Sequence, residues 1–179
     1  MPTAYIALGG NIPSHVGSPA ETLSAAVAML GEIGEVVAVS SIYWTDPVGF
    51  SDQPEFANAS VELRTDLSAL RLLYGLLEIE RKLGRDRSHG IRNGPRTLDL
   101  DLLLWDGLVM ESAELVLPHP RMAERMFVLC PLAEIAPGII HLKSGLSVGQ
   151  LLKDHRDSGK DCSDESKQQF PLRGSVRSA

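Results

Sequence analysis

Two aspartates, Asp99 and Asp101, stand two positions apart in the otherwise apolar stretch GPRTLDLDLLLW. In a β-strand alternate side chains point to the same face, so both carboxylates share one face. They lie about 7 Å apart along the strand and repel each other unless a cation lies between them. Mg²⁺ prefers such hard oxygen ligands, although an isolated pair is equally consistent with a solvated strand face. The other face is predicted to pack in the core and holds Leu98, Leu100, Leu102 and Leu104.

A basic segment leads directly into this pair. Arginine side chains are well suited to binding phosphate oxygens, so their position beside two carboxylates favours a site for a metal ion and a polyphosphate. For any one of these cations a solvated loop remains the alternative. The sequence has no P-loop motif that could hold the phosphates instead. Between residues 81 and 96 a single acid, Asp86, accompanies Arg81, Lys82, Arg85, Arg87, Arg92 and Arg96.

A long loop, TDPVGFSDQPEFAN, runs from Thr45 to Asn58 and has the length of a functional loop. Phe56 beside the amide of Asn58 could hold a flat ring that forms hydrogen bonds, although a buried phenylalanine and a turn-forming asparagine explain the two residues separately. His119 lies between two prolines and could contact phosphate or simply occupy a rigid turn. These residues are therefore secondary candidates for binding.

The composition indicates one globular domain. The chain has 179 residues, 44% of them hydrophobic, and a formal net charge of −6. This charge argues against a protein that coats nucleic acid or anionic membrane. Cys130 and Cys162 show no paired ligand spacing, which favours reduced cysteines, and no signal-like or spanning segment is present. We therefore expect a cytoplasmic protein with no nucleic-acid or membrane partner.

Hydrophobic periodicity predicts the order β-α-β-β-α-β, which is typical of an α+β, ferredoxin-like core with a mainly antiparallel sheet and helices on one face. Gly9-Gly10-Asn11 reads as a strand-end turn. A helix near Pro120, a helix within residues 139–155 and short strands extend the core. Residues 1–155 form the predicted domain, and 156–179 are predicted to be a disordered tail. The core strands are 5–8, 35–44, 56–64 and the aspartate strand, and its helices run from Ser18 to Gly31 and from Asp66 to Gly84.

Several motifs in this order resemble the hydroxymethyldihydropterin pyrophosphokinases of folate biosynthesis. The similar segments are YIALGGN, TDPVGFSDQPEFAN, LEIERKLGR, GPRTLDLDLLL and LPHPRMAERMFVLCPLAEIAP, and they span Tyr5 to about Pro137. The resemblance implies an ATP-dependent diphosphotransferase. Its reaction would transfer pyrophosphate from ATP to the hydroxymethyl group of 6-hydroxymethyl-7,8-dihydropterin and release AMP. We expect a monomer.

The resemblance also implies a role for individual residues. Asp99 and Asp101 would be the ligands of two Mg²⁺ ions, and Arg85 and Arg96 would be catalytic. A second set would contact ATP and consists of Glu80, Arg87, Leu102, Val116 and His119. A third set would hold the pterin: the ring pair Phe56 and Phe127, the amide of Asn58, the backbone of Thr45 and Val48, and Arg125.

Two other functions remain open from the residues alone. A metal-dependent nucleotidyltransferase would also use two strand aspartates, but it would release pyrophosphate. A ferredoxin-like RNA-binding module would use aromatic residues on its strands, but this chain lacks the usual basic and aromatic strand signature. The identity of the product released from ATP distinguishes the two enzymes.

Overall fold

The computed structural model describes residues 1–87, 93–159 and 166–170, which form a mixture of helices and antiparallel sheet. The strands are β1 (Thr3–Gly10), β2 (Glu35–Val39), β3 (Ile42–Thr45), β4 (Phe56–Arg64), β5 (Asp99–Trp105), β6 (Met110–Glu111), β7 (Val116–Leu117), β8 (Ile140–His141), β9 (Leu146–Ser147) and β10 (Ser166–Gln168). The helices are α1 (Pro19–Leu30), α2 (Ala69–Lys82), α3 (Met126–Ile135) and α4 (Val148–Asp157), with a 3₁₀ helix at Met122–Glu124.

The main sheet has the strand order β10, β3, β4, β1, β5, and β2 pairs with β4 beside β3. Every pairing is antiparallel, as predicted. The central strand β1 extends to Gly10, so Gly9 and Gly10 belong to the strand and the predicted strand-end turn is wrong at these two positions. The register places Gly9 opposite Asn58 on β4 and opposite Asp99 on β5. Three segments that are distant in sequence therefore meet at one end of the sheet.

Helices cover both faces of this sheet. Ala4, Ile6 and Leu8 of β1 belong to one buried cluster together with α1 and α2. Tyr5 points to the opposite face and belongs to a second cluster together with α3 and α4. The prediction of helices on one face therefore describes α1 and α2 but not the two later helices.

The alternate leucines of β5 do not all lie on the same face of the sheet. Leu98, Leu100 and Leu102 pack in the first cluster, as predicted, but Leu104 packs in the second. The cause is an irregularity in the pairing with β1, where Tyr5 pairs with Leu104 and Ile6 pairs with Leu102. One extra residue in the strand reverses the side on which the following side chains lie. The two aspartates precede this irregularity and keep their common face.

Local signals fix the beginnings of the helices. Ser18 caps α1 and forms both hydrogen bonds of a capping box with Glu21, as the sequence predicts. The second helix is capped by Ser68 and not by Asp66, so the predicted start is two residues early. The predicted strand 35–44 is divided into β2 and β3, since Ser40 and Ser41 lie outside both strands.

The C-terminal part differs from the sequence prediction in three places. The helix predicted near Pro120 is a 3₁₀ turn followed by α3. Helix α4 continues to Asp157, and β10 lies within the predicted tail and pairs with β3, so residues 156–159 and 166–170 have structure there. The remaining tail residues lie outside the described part of the chain.

Cys130 is disulfide-bonded, so the expectation of reduced cysteines is wrong for this residue. Cys162 lies outside the described residues.

Among the described residues, no helix combines the length and the apolar composition needed to cross a membrane. This finding concerns the helices alone. The predicted single domain over residues 1–155 stays a prediction.

Close packing at Gly10 yields a test of the sheet register. A Cβ atom on Gly10 would lie 2.3 Å from the carbonyl oxygen of Thr97, which is backbone and cannot move aside easily. We expect Gly10→Ala to lower the free energy of unfolding by about 1–3 kcal/mol in urea titrations. Gly138→Ala is the matched control, because a Cβ there meets nothing within 4 Å. Equal stability of the two variants would contradict the packing described for β1 and β5.

Candidate active site

Small residues on β1 leave room above the sheet for a site. Ala7 lies opposite Asp101 and Gly9 lies opposite Asp99, so no large side chain covers either carboxylate from this strand. A Cβ atom on Gly9 would come within 3.2 Å of the Asn58 Oδ1 atom. The resulting depression has a volume of about 30 Å³ and is lined by Ala7, Leu8, Gly9, Asn58, Arg96, Asp99, Asp101, Arg125, Phe127 and Val128.

The two aspartates lie in different electrostatic surroundings. Asp99 is contacted by three arginines, with its carboxylate 3.2 Å from Arg96 Nε and 3.9 Å from the Nη2 atoms of both Arg85 and Arg87. Asp101 forms no ion pair within the described part of the chain. Burial, and then the negative charge of Asp99, raise the pKa of Asp101. A cation beside Asp101 would therefore relieve an unfavourable arrangement.

Two arginine nitrogens indicate that the site can bind an anionic ligand. The Nε atoms of Arg85 and Arg96 are buried and make no hydrogen bond with the described residues. The contact between Arg96 and Asp99 is an ion pair whose geometry makes no hydrogen bond. Buried donors without partners are unfavourable, so these two side chains suit acceptor oxygens supplied by a ligand. Burial also lowers the pKa of Arg85.

Glu80 connects α2 to the aspartate strand. Its side chain is 1% exposed, and its Oε1 atom accepts a 2.8 Å hydrogen bond from the backbone N–H of Leu100. Its Oε2 atom accepts hydrogen bonds from Arg87 at 2.5 and 3.1 Å. Burial raises the pKa of Glu80 despite these contacts. The carboxylate thus braces β5 and positions Arg87.

Three of the residues predicted to hold the pterin, Asn58, Arg125 and Phe127, line the depression beside the aspartates. The Arg96 guanidinium lies over the Phe56 ring, 4.7 Å from its centroid, and that of Arg125 lies 5.5 Å from the centroid of Phe127. The Asn58 Nδ2 atom donates a 2.9 Å hydrogen bond to the hydroxyl of Thr45, inside the buried part of the sheet. The Asn58 amide is therefore held in a fixed orientation at the edge of the depression.

Nine of the predicted residues are not among those that line this depression: Glu80, Arg85, Arg87, Thr45, Val48, Phe56, Leu102, Val116 and His119. Leu102 packs in the core on the opposite face of the sheet, and Val116 lies on β7. Val48 is 67% exposed on its loop. His119 donates its backbone N–H to Leu103 and accepts a hydrogen bond at Nδ1 from the backbone of Arg121, while burial lowers its pKa. Leu102 could contact a ligand on the face of the sheet that carries Asp99 and Asp101 only through its backbone atoms.

Asn11 links three loops around the site, a role that the sequence reading missed. The buried Asn11 side chain donates hydrogen bonds to the side chain of Gln53 and to the carbonyl of Pro54. Its Oδ1 atom accepts the backbone N–H of Arg96 at 2.9 Å. Gln53 in turn donates to the carbonyl of Asn93. The local sequence hints at this role only by placing an asparagine directly after two strand glycines. The hydrogen-bond partners of Asn11 lie more than 40 residues away in the sequence.

Known proteins supply the decisive comparison. The model of the family described as 7,8-dihydro-6-hydroxymethylpterin-pyrophosphokinase (HPPK) matches residues 5–137. The chain belongs to the HPPK family. It is 51% identical over 134 residues to the 2-amino-4-hydroxy-6-hydroxymethyldihydropteridine pyrophosphokinase of Bacillus subtilis, which covers 74% of this chain and 77% of that protein. The protein of the same name from Haemophilus influenzae is 40% identical over 159 residues, covering 88% of this chain and 95% of the relative.

The fold of the HPPK family also occurs among solved structures. A crystal structure of an HPPK-DHPS in complex with substrates has a TM-score of 0.70 at 14% sequence identity and covers 93% of this chain. The match covers 46% of the solved chain, so this chain corresponds to about half of that protein. The similarity concerns the fold alone. The family inferred from sequence motifs is confirmed over almost the same range of residues.

The contacts of Asn11 predict the effect of its removal. We expect Asn11→Ala to lower the free energy of unfolding by about 1–3 kcal/mol, because a buried N–H of Arg96 and two acceptors lose their partner. Amide hydrogen exchange at residues 50–54 should accelerate. Gln53→Ala is the comparison variant, since it removes only the exposed side of the network, and its effect should be smaller. A larger effect of Gln53→Ala would contradict the central place of Asn11.

Proposed function

We propose that the chain transfers pyrophosphate from ATP to the hydroxymethyl group of 6-hydroxymethyl-7,8-dihydropterin and releases AMP. The observation that supports this proposal is the common face of Asp99 and Asp101, where Arg85, Arg87 and Arg96 contact Asp99 and the Phe127 ring lines the same depression, with the Phe56 ring next to Arg96. A polyphosphate and a flat ring therefore have suitable partners side by side. Membership of the HPPK family supports the same reaction.

Asp99 and Asp101 are the proposed ligands of two Mg²⁺ ions. Among the described residues no group of three or more His, Cys, Asp or Glu side chains could hold a metal ion. Two carboxylates alone still fit Mg²⁺, which commonly takes one or two protein carboxylates and completes its shell with water and substrate phosphates. Bound there, Mg²⁺ would neutralise phosphate charge and orient the polyphosphate.

Arg85 and Arg96 are the proposed catalytic arginines. The pterin hydroxyl must attack the β phosphorus in line with the departing AMP, so positioning and charge stabilisation are the main requirements. The unpartnered Nε atoms of these two residues can donate to phosphate oxygens without loss of an existing hydrogen bond. The proposed supporting contacts to ATP come from Arg87, which Glu80 holds in position, from the backbone of Leu102, and from Val116 and His119.

Phe56 and Phe127 are proposed to enclose the pterin ring, with the Asn58 amide at its edge. Thr45, Val48 and Arg125 complete the proposed set. Arg96 now lies over Phe56, and the depression of about 30 Å³ has room for little more than one water molecule. We therefore propose that the loop 45–56 moves outward to admit both substrates and then closes over them; the middle of the basic segment, residues 88–92, lies outside the described residues. Closure would exclude water, which is the competing nucleophile.

We also propose that the core is ferredoxin-like, that residues 1–155 form the enzyme domain and that the chain acts as a monomer. The element order β1, α1, β2–β3, β4, α2, β5 and the antiparallel strand order β3, β4, β1, β5 support the first of these proposals. The second agrees with the family match, which ends within this range.

The product released from ATP tests the proposed function. With Mg²⁺, ATP and the dihydropterin, we expect AMP to form in step with the pyrophosphorylated pterin. Free pyrophosphate would instead indicate the nucleotidyltransferase, and ADP a simple kinase. Asp99→Asn and Asp101→Asn should abolish AMP formation while the circular dichroism spectrum is unchanged. Asp106→Asn, at an exposed position just beyond β5, is the matched control and should retain activity.

A further inference from the structure

A groove of about 820 Å³ lies away from the candidate active site and shares no lining residue with it. Its lining includes Ala25, Val27 and Ala28 of α1, together with Glu134 of α3 and Phe170. Ala25 and Val27 are only partly buried although they pack against the main core. The groove is therefore an apolar surface that remains open to a further occupant.

The chain itself leads into this groove. Strand β10 runs antiparallel to β3, with Ser166 opposite Trp44 and Gln168 opposite Ile42. It therefore advances towards the beginning of β3, where Ser41 lines the groove. The Lys167 Nζ atom lies 4.8 Å from the centroid of the Tyr43 ring and fixes the strand. Gln169 and Phe170 follow and line the groove themselves.

The residues that follow Phe170 match the groove in chemistry. Their sequence is PLRGSVRSA, which contains Leu172 and Val176, two arginines and no acid. The Glu134 carboxylate is the charged group of the groove lining. It is held in place, since Oε1 accepts hydrogen bonds from Ser41 at 2.8 and 2.9 Å and Oε2 accepts one from the Tyr43 hydroxyl at 2.6 Å. A basic and apolar segment is thus complementary to it.

The length of the segment is also sufficient. Residues 171–179 can span up to about 30 Å when extended, which is enough to pass along a helix of the length of α1. Because Phe170 already lies in the groove, this segment starts beside its binding surface at a high effective concentration. A separate partner molecule would have to compete with it.

We propose that residues 171–179 of this chain bind in the groove between α1 and β10, with apolar side chains on Ala25 and Val27 and an arginine near Glu134. The segment then continues from β10, which is the edge strand of the main sheet next to β3. It also shields the small-residue face of α1 from other molecules. This inference is independent of the proposed catalytic function.

Photo-cross-linking in the full chain tests the proposal. Ala28, which is exposed and lines the groove, is replaced by p-benzoylphenylalanine, and equal amounts of ¹⁴N-labelled and ¹⁵N-labelled protein are irradiated together. We expect a cross-link within one copy, localised by peptide fragmentation to residues 171–179. Ala113, an exposed alanine outside the groove, is the matched control position and should give none.

Charge variants test the arginine contact. Arg173→Glu combined with Arg177→Glu should reduce the yield of the cross-link several-fold, whereas the corresponding lysine variants should preserve it. If the altered Ala28 prevents folding, Ser24 offers a second position in the groove lining. Cross-links only between differently labelled copies would show that a second copy occupies the groove and would overturn the proposal. A folded protein without any cross-link to residues 171–179 would also overturn it.

Discussion

The distribution of charge on one face of β5 is the constraint on which the site depends. Asp99 lies among three arginines, whereas Asp101 forms no ion pair in the described ranges 1–87, 93–159 and 166–170. Because Ala7 and Gly9 lie opposite these carboxylates, nothing from the central strand fills the space above them. Two partly buried like charges on one strand face are tolerated best where cations compensate them. The proposed metal-bound polyphosphate would place a cation next to Asp101 and acceptor oxygens next to Arg85 and Arg96.

Local patterns made part of this structure predictable. Ser18 and Glu21 form their capping box because both partners lie within one helical turn. The strand 56–64 was predictable because its apolar residues alternate, and the shared face of Asp99 and Asp101 follows from strand geometry alone. The family was recognisable because several short motifs occur in a fixed order. Each of these predictions uses information contained in a few neighbouring residues.

The features that the sequence did not reveal depend on long-range contacts. Leu104 changes face because β5 meets β1 with one extra residue, which no pattern within β5 indicates. Asn11 becomes the link between loops only after the sheet brings Gln53 and Arg96 beside it. The resemblance places Glu80 among the ATP contacts, and no local pattern indicates that folding buries it against the backbone of β5. Strand β10 is stabilised by its pairing with β3, which the polar composition of that segment conceals.

Electron paramagnetic resonance of free Mn²⁺ measures whether the aspartate pair binds metal. Mn²⁺ replaces Mg²⁺ and is titrated into the protein in the presence of a non-hydrolysable ATP analogue. We expect Asp99→Asn and Asp101→Asn each to weaken Mn²⁺ binding by about tenfold or more, since even outer-shell changes at metal sites cost about 10- to 100-fold. Asp106→Asn should bind Mn²⁺ as the unaltered protein does. Unchanged Mn²⁺ binding by Asp101→Asn would show that Asp101 is not a metal ligand.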